Sequence, residues 1–306
     1  MLRKIVLSCL ALAAMLSVAA YGQGVAPARK SLKVNGLNLS YLEWGSPKAQ
    51  PMLLFTGAGS VGASWDPVAP ELAKLYHVFA FDRLGQGYSD WDPNKQYSVM
   101  NHVANVKEAT RQLGLEHIIV IGHSQGGNEA VVFTAENADH VAALIAEDGG
   151  FMLAGSTHAA MKGGDPKTGA PPRTPPPSEF ATWDEVAAAN KGKSQLELDA
   201  RFKKAENGHY VSRSDPAAGA LMEADSMMQP GATGPFAQRV KCPAMVIRGG
   251  DDKAFALENA QTLTSLIADT RMMVVVPGAG HGLHSMKPAE FTAAVKGFLT
   301  LIPSAK

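Results

Sequence analysis

The sequence predicts an α/β fold, a mostly parallel, doubly wound sheet with a helical lid inserted late in the chain. Three observations carry this expectation. Short apolar runs of strand length recur at 52–55, 78–81, 118–121, 141–145, 244–247 and 272–276. Helix-compatible stretches separate them at 65–76, 99–113, 129–137, 257–267 and 288–301. Strand and helix in turn imply parallel strands covered on both faces. The rhythm then lapses between 149 and about 236, which reads as an insertion between two parts of one core.

In chain order, residues 1–22 read as a secretory signal. Arg3 and Lys4 open it, 5–20 is apolar and rich in small residues, and small residues near 20–24 suit a signal peptidase. The apolar stretch is short for a span of about 20 residues, so cleavage and export are expected, with no stable membrane anchor left. Residues 23–30 read as a linker. A first core segment is expected over 31–148, the lid over 149–236 and a second core segment over 237–306. Within the first, 32–44 alternates around Asn35-Gly36, a hairpin signal. Pro67 lies near the start of the helix expected at 65–76, and Asn101 is a candidate N-cap for the one at 99–113. Residues 163–177 are dense in Gly and Pro and read as an irregular loop, while 183–190 and 194–204 have helical character.

Composition narrows the function. The chain has 306 residues, 46% of them hydrophobic, enough for one large domain or a domain with an insert. Its formal charge is zero and no basic block is present, which argues against a nucleic-acid partner. Of two cysteines, Cys9 leaves with the signal, so Cys242 has no intrachain partner and reads as a small buried hydrophobe. His-Glu-x-x-His is absent and one cysteine builds no thiolate site, so neither metal nor cofactor is expected.

The chemistry centres on Gly122-His123-Ser124-Gln125-Gly126-Gly127, which follows an apolar strand and opens a helix. Gly-x-Ser-x-Gly at such a junction presents its hydroxyl on a tight turn above the sheet. An acid is expected at the end of the strand 244–247, in Gly249-Gly250-Asp251-Asp252. Asp252 is the first choice and Asp251 the neighbouring alternative, since either can also cap the next helix. A base is expected in Pro277-Gly278-Ala279-Gly280-His281-Gly282, with His284 competing with His281. An imidazole titrates near neutrality and can take a proton from serine and return it to a leaving group. His123 is read as packed and hydrogen-bonded away from Ser124, and His158 and His209 as surface residues of the insert, with contact to substrate the alternative.

With Ser124, Asp252 and His281 in that order, the chain resembles the α/β-hydrolase superfamily, in its lid-bearing esterase and lipase-like branch. The likeness covers nearly all of 31–303 outside the insert. It includes Phe81-Asp82-Arg83-Leu84-Gly85-Gln86-Gly87-Tyr88-Ser89, and Gly280-His281 followed by Pro288 and Phe291. The resemblance implies a Ser-His-Asp triad and an oxyanion hole made by the backbone N–H groups of Gln125 and Ala58. The second donor lies in Thr56-Gly57-Ala58-Gly59-Ser60, where Thr56 replaces the family's usual histidine.

The expected activity is hydrolysis of a carboxylic ester, or a related acyl bond, of a small, partly apolar substrate. Perhydrolysis or haloperoxidation, lactone opening and carbon–carbon bond hydrolysis use the same triad and stay open. Aspartate-nucleophile chemistries are set aside by Ser124. Met152, Trp183 and Met227 in the insert are candidate substrate contacts, although packing of the lid explains such residues equally well. Two other classes compete. A non-catalytic binder could keep the pocket. Gly57-Ala58-Gly59-Ser60-Val61-Gly62, with Asp82 further on, also matches a dinucleotide-binding turn and hence an NAD-dependent oxidoreductase.

Overall fold

The computed structural model describes residues 26–150, 179–229 and 231–302. The signal at 1–22, the loop at 163–177, Met152 and His158 lie outside the described residues.

The chain opens with a hairpin, β1 (Ala28–Val34) and β2 (Leu37–Trp44), joined at Asn35-Gly36. Both turn residues have positive φ, 52° and 85°. That conformation suits the twist of a two-residue hairpin and favours Asn and Gly. The strand begins at Ala28, so the expected linker is shorter than 23–30. Lys30 is already bound to Glu43 across the ladder at 2.6 Å.

Next come β3 (Pro51–Phe55), a 3-10 turn at Gly62–Trp65 and a short helix α1 (Ala69–Leu72). The single helix expected at 65–76 is thus broken in two. Pro67 and Pro70 each lack the N–H that a continuous helix needs. After β4 (His77–Phe81) comes α2 (Val99–Gln112), capped by Ser98 rather than Asn101: the Ser98 hydroxyl accepts the Asn101 N–H at 3.2 Å. Then follow β5 (Ile118–His123), α3 (Gln125–Glu136) and β6 (Val141–Glu147).

The insert holds β7 (Glu179–Phe180), α4 (Trp183–Ala189), α5 (Gln195–Arg201), β8 (Phe202–Lys204), β9 (Tyr210–Ser212) and α6 (Pro216–Glu223). It is therefore not purely helical. Among the described residues of the insert, three strands form an antiparallel sheet in the order β7-β9-β8, too short to show as apolar runs in the sequence. The core resumes with α7 (Gly234–Ala237), β10 (Ala244–Gly249), α8 (Leu257–Leu266), β11 (Thr270–Val276), α9 (Leu283–Met286) and α10 (Pro288–Leu299).

The main sheet runs β1-β2-β4-β3-β5-β6-β10-β11. It is antiparallel through β4 and parallel from there on. Alternate residues of its central strands feed two apolar layers. Leu53, Phe55 and Val120 pack on one face against Val103, Val106 and Phe133. Met52, Leu54, Ile119 and Ile121 pack on the other against Trp65, Phe291 and Phe298. Burial on both faces is why these strands read as unbroken apolar runs. The winding reverses between β3 and β5, and the loops leaving their carboxyl ends diverge there. A crevice at such a switch point is where ligands bind in wound sheets.

Candidate active site

Ser124 sits at that crevice, between β5 and α3, with φ 56° and ψ −121°. A non-glycine residue in this region is strained, by about 1–3 kcal/mol, and surrounding structure must hold it. Here the Ser124 N–H donates to the Glu147 carbonyl at 2.9 Å and the Ser124 carbonyl accepts from Gly127 at 2.9 Å. The small neighbours are required by close approach. A methyl group on Gly122 would lie 2.1 Å from the Gly126 carbonyl oxygen, and one on Gly149 2.1 Å from that of Ser124.

The end of β11 leads into the loop carrying His281. Its Nε2 lies 2.8 Å from Ser124 Oγ, and its Nδ1 lies 2.9 Å from Asp252 Oδ2. The Asp252 side chain is fully buried, whereas that of His281 is 32% exposed. Asp252 Oδ1 accepts the Ala254 N–H at 2.7 Å. Burial alone would raise the Asp252 carboxyl. The hydrogen bond and charge of His281, with the Ala254 and Phe255 N–H groups, outweigh it and hold Asp252 below the usual carboxylate range. Burial pulls His281 down, but Asp252, Asp148 and Glu147 together leave it above the ordinary imidazole value. Asp251, the alternative acid, is exposed and takes no part in this chain of bonds.

His284, the competing base, is buried in a different pair. Its Nδ1 lies 2.8 Å from Glu147 Oε1, and its ring stacks 4.2 Å from that of Trp65. His123 lies between the two pairs, with ring centres 4.9 Å from His281 and 4.8 Å from His284. Its Nε2 has no hydrogen-bond partner among the described residues. Burial, then the neighbouring imidazoles, hold His123 neutral, well below the ordinary value. His209 is exposed and bound to Glu179 at 2.8 Å, in line with a surface role.

The sequence reading missed Asp148, one residue past β6. Its φ is 45° and it is 1% exposed. Its carboxylate accepts Gly249 N–H at 2.8 Å and Gly282 N–H at 3.1 Å. It thus ties the end of β10 to the loop that carries His281. Burial and the Glu147 charge push Asp148 up to about 7, against the pull of those N–H groups. The only signal in the sequence is a pair of acids closing an apolar strand. His123, Asp148 and His281 bring possible metal-ligand atoms within 4.8 Å of one another, as do His123, Glu147 and His284. In both sets the carboxylate and the second histidine are already bonded to protein partners, as described above.

The loop after β3 is shaped by a second missed group, Arg83. Its Nη1 donates to Thr56 Oγ1 at 2.8 Å and to the Gly57 carbonyl at 3.0 Å, and its Nη2 donates to the Thr56 carbonyl. Glu129 holds the guanidinium from the other side, at 2.9 and 2.6 Å. Thr56 therefore gives the loop a hydroxyl anchor. Among the described residues all peptide bonds are trans, so fixing the Gly57 carbonyl on Arg83 turns the Ala58 N–H the opposite way. Neither the Ala58 nor the Gln125 N–H donates to a described protein group. Asp82, the acid of the dinucleotide-like pattern, is buried and accepts Gly62 N–H at 2.7 Å, Arg29 Nη1 at 3.1 Å and Tyr88 N–H at 3.1 Å. Those donors fill the role a ribose hydroxyl would need.

The two described substrate candidates lie in packing roles. Trp183 stacks edge-on against Tyr210 at 5.1 Å, over a small core of Phe180, Val186 and Leu198. It also lines a groove of about 400 Å³ with Tyr88, Phe202 and Arg213. Met227 packs against the main core. Cys242 is half-buried, and burial pushes its thiol up to about 12.

A family profile described as alpha/beta hydrolase fold matches residues 50–288, most of the chain. The 2-(acetamidomethylene)succinate hydrolase of Mesorhizobium japonicum is 26% identical over 280 residues, covering 88% of this chain and 94% of the relative. The crystal structure of E-2-(acetamidomethylene)succinate hydrolase superposes with a TM-score of 0.76 at 21% identity, over 90% of this chain and 100% of that one. A thioesterase domain from the curacin biosynthetic pathway gives 0.70 at 19% identity, over 89% and 99%. At these identities the two structures speak to the fold alone.

Proposed function

The chain belongs to the alpha/beta hydrolase fold family, and from that premise we propose that it is a serine hydrolase. Its reaction is cleavage of a carboxylic ester, or a related acyl bond, of a small, partly apolar substrate. One observation carries the reading: His281 uses one ring nitrogen on Ser124 and the other on Asp252.

Ser124 Oγ attacks the acyl carbonyl carbon while its proton passes to His281 Nε2. Asp252 accepts the Nδ1–H, which fixes the tautomer and offsets the charge of the imidazolium. The carbonyl oxygen becomes an oxyanion that rests on the N–H groups of Gln125 and Ala58, at the start of α3 and on the Arg83-held turn. One such donor contributes roughly 3 kcal/mol of transition-state stabilisation. As the tetrahedral intermediate collapses, Nε2–H protonates the departing alcohol and an acyl-enzyme remains. Water, deprotonated by the same imidazole, then releases the acid. The name of the curated relative, a 2-(acetamidomethylene)succinate hydrolase, supports hydrolysis of a small molecule. The basic and apolar start of the sequence supports export of the enzyme.

A panel of para-nitrophenyl esters of increasing acyl length tests the proposal. Turnover of the shorter esters by the native protein, and none above background by Ser124→Ala, is the expected result. Full turnover by Ser124→Ala would refute it.

A further inference from the structure

The turn that carries Ala58 is gripped from two sides. Arg83 holds its near end from the body. The far end is held from the insert by Arg201, the last residue of α5. Arg201 Nη1 donates to the Gly59 carbonyl at 3.0 Å and Nη2 to Ser60 Oγ at 3.2 Å. Gly59 has φ +62°, and Ser60 N–H returns to the Gly57 carbonyl at 3.1 Å, so these residues form one tight turn. The Ala58 N–H lies between the two arginine contacts.

The guanidinium is set in place before it reaches the turn. Its Nε donates to Glu197 Oε1 at 2.8 Å, and the same oxygen accepts Lys193 Nζ at 2.7 Å. Burial would raise the Glu197 carboxyl, but Arg201 and Lys193 hold it below the usual range and hence ionised. The helix is itself anchored. Ser194 caps it, and Ala200 is fully buried in the apolar layer that contains Val61, Ala63 and Trp65. A planar fork on a fixed stem loses little freedom when it makes two bonds.

We propose that Arg201 is a positioning residue of the reaction, which holds the Ala58 N–H on the developing oxyanion by fixing the turn from the insert. This rests on the serine acyl-transfer reading above. Arg201 acts through the turn and touches no reacting atom. Its side chain is 21% exposed, and Lys193 stays paired with Glu197 when Arg201 is lost. Its loss therefore affects the rate more than the fold. The oxyanion exists only in the transition state and intermediate, so the effect falls on kcat rather than KM.

The test compares native protein, Ser124→Ala, Arg201→Ala and Arg201→Lys with para-nitrophenyl butyrate and with a short alkyl trifluoromethyl ketone. The ketone is an oxyanion probe: Ser124 Oγ adds to its carbonyl carbon, the serine proton passes to His281, and the carbonyl oxygen becomes the anion. For Arg201→Ala the expected result is a kcat lowered about tenfold, KM within about twofold, and ketone affinity weakened about tenfold in parallel, with Tm little changed. Arg201→Lys falls between, since it restores charge without the fork. Native kcat and native ketone affinity in Arg201→Ala overturn the inference, as does a fall in Tm and a rise in KM with both quantities unmoved. Full activity in Ser124→Ala would instead strike the serine reading beneath it.

Discussion

Two histidine–carboxylate pairs lie side by side in this molecule, and their bond lengths are nearly the same. His281 and Asp252 meet at 2.9 Å, and His284 and Glu147 at 2.8 Å. The difference lies in what the rest of each ring faces. His281 is one-third exposed and turns its second nitrogen to Ser124, while His284 is 5% exposed and lies beneath Trp65. A pair becomes a proton relay only where one nitrogen stays reachable from a reacting atom. The buried pair joins the end of β6 to α9, and its Glu147 also accepts the His284 N–H at 2.7 Å. It braces the segment that carries His281.

The largest expected effect separates the two pairs directly. His281→Ala lowers kcat by on the order of 10⁴-fold or more, with Tm near native. Asp252→Asn follows, with a loss of about 10³–10⁴ in kcat, because the wrong tautomer then faces Ser124. Asp251→Asn, on the exposed neighbour, stays within about twofold of native under the same assay. Glu147→Gln inverts the pattern. Denaturant unfolding is expected to lose about 1.5–3 kcal/mol, since a buried bond to a charged group is weakened, while kcat falls by less than about tenfold.

The smallest effect concerns pH. Asp148 has a folded pKa of about 7 against an ordinary value of 3.8. Between those values the folded state holds a proton that the unfolded chain has lost. Asp148 therefore contributes stability at low pH that fades as pH rises through about 7. Melting scans of Asp148→Asn across that window should show a flatter dependence of Tm on pH than the native protein. The raised His281 pKa acts in the same sense on stability. It acts in the opposite sense on rate, because protonated His281 is no base, so kcat/KM is lost as pH falls through a value above 6.5.

Much of this arrangement was legible because it is local. The strands 52–55, 118–121 and 244–247 show as apolar runs since both of their faces are buried, and Gly122-His123-Ser124 marks the junction that strain requires. Choosing Asp252 and His281 over their neighbours drew on order and pattern, and burial gives the physical reason. What stayed illegible depends on contacts distant in sequence. Nothing around Arg83 announces that Thr56, Gly57 and Glu129 converge on it, and Asp148 meets Gly249 and Gly282 more than 100 residues further along the chain. Pro67 falls in the gap between the 3-10 turn and α1, and Pro70 lies in the first turn of α1, so the stretch 65–76 holds no continuous helix. The insert's strands of two and three residues are below the length at which periodicity can be read.

The most direct test of the account is labelling by a fluorophosphonate, followed by peptide mass spectrometry, on native protein and His281→Ala. The account predicts rapid modification confined to Ser124 in the native protein, and a rate lower by on the order of 10³-fold in the variant. Equal labelling of Ser124 in both, or modification elsewhere with Ser124 untouched, would contradict it.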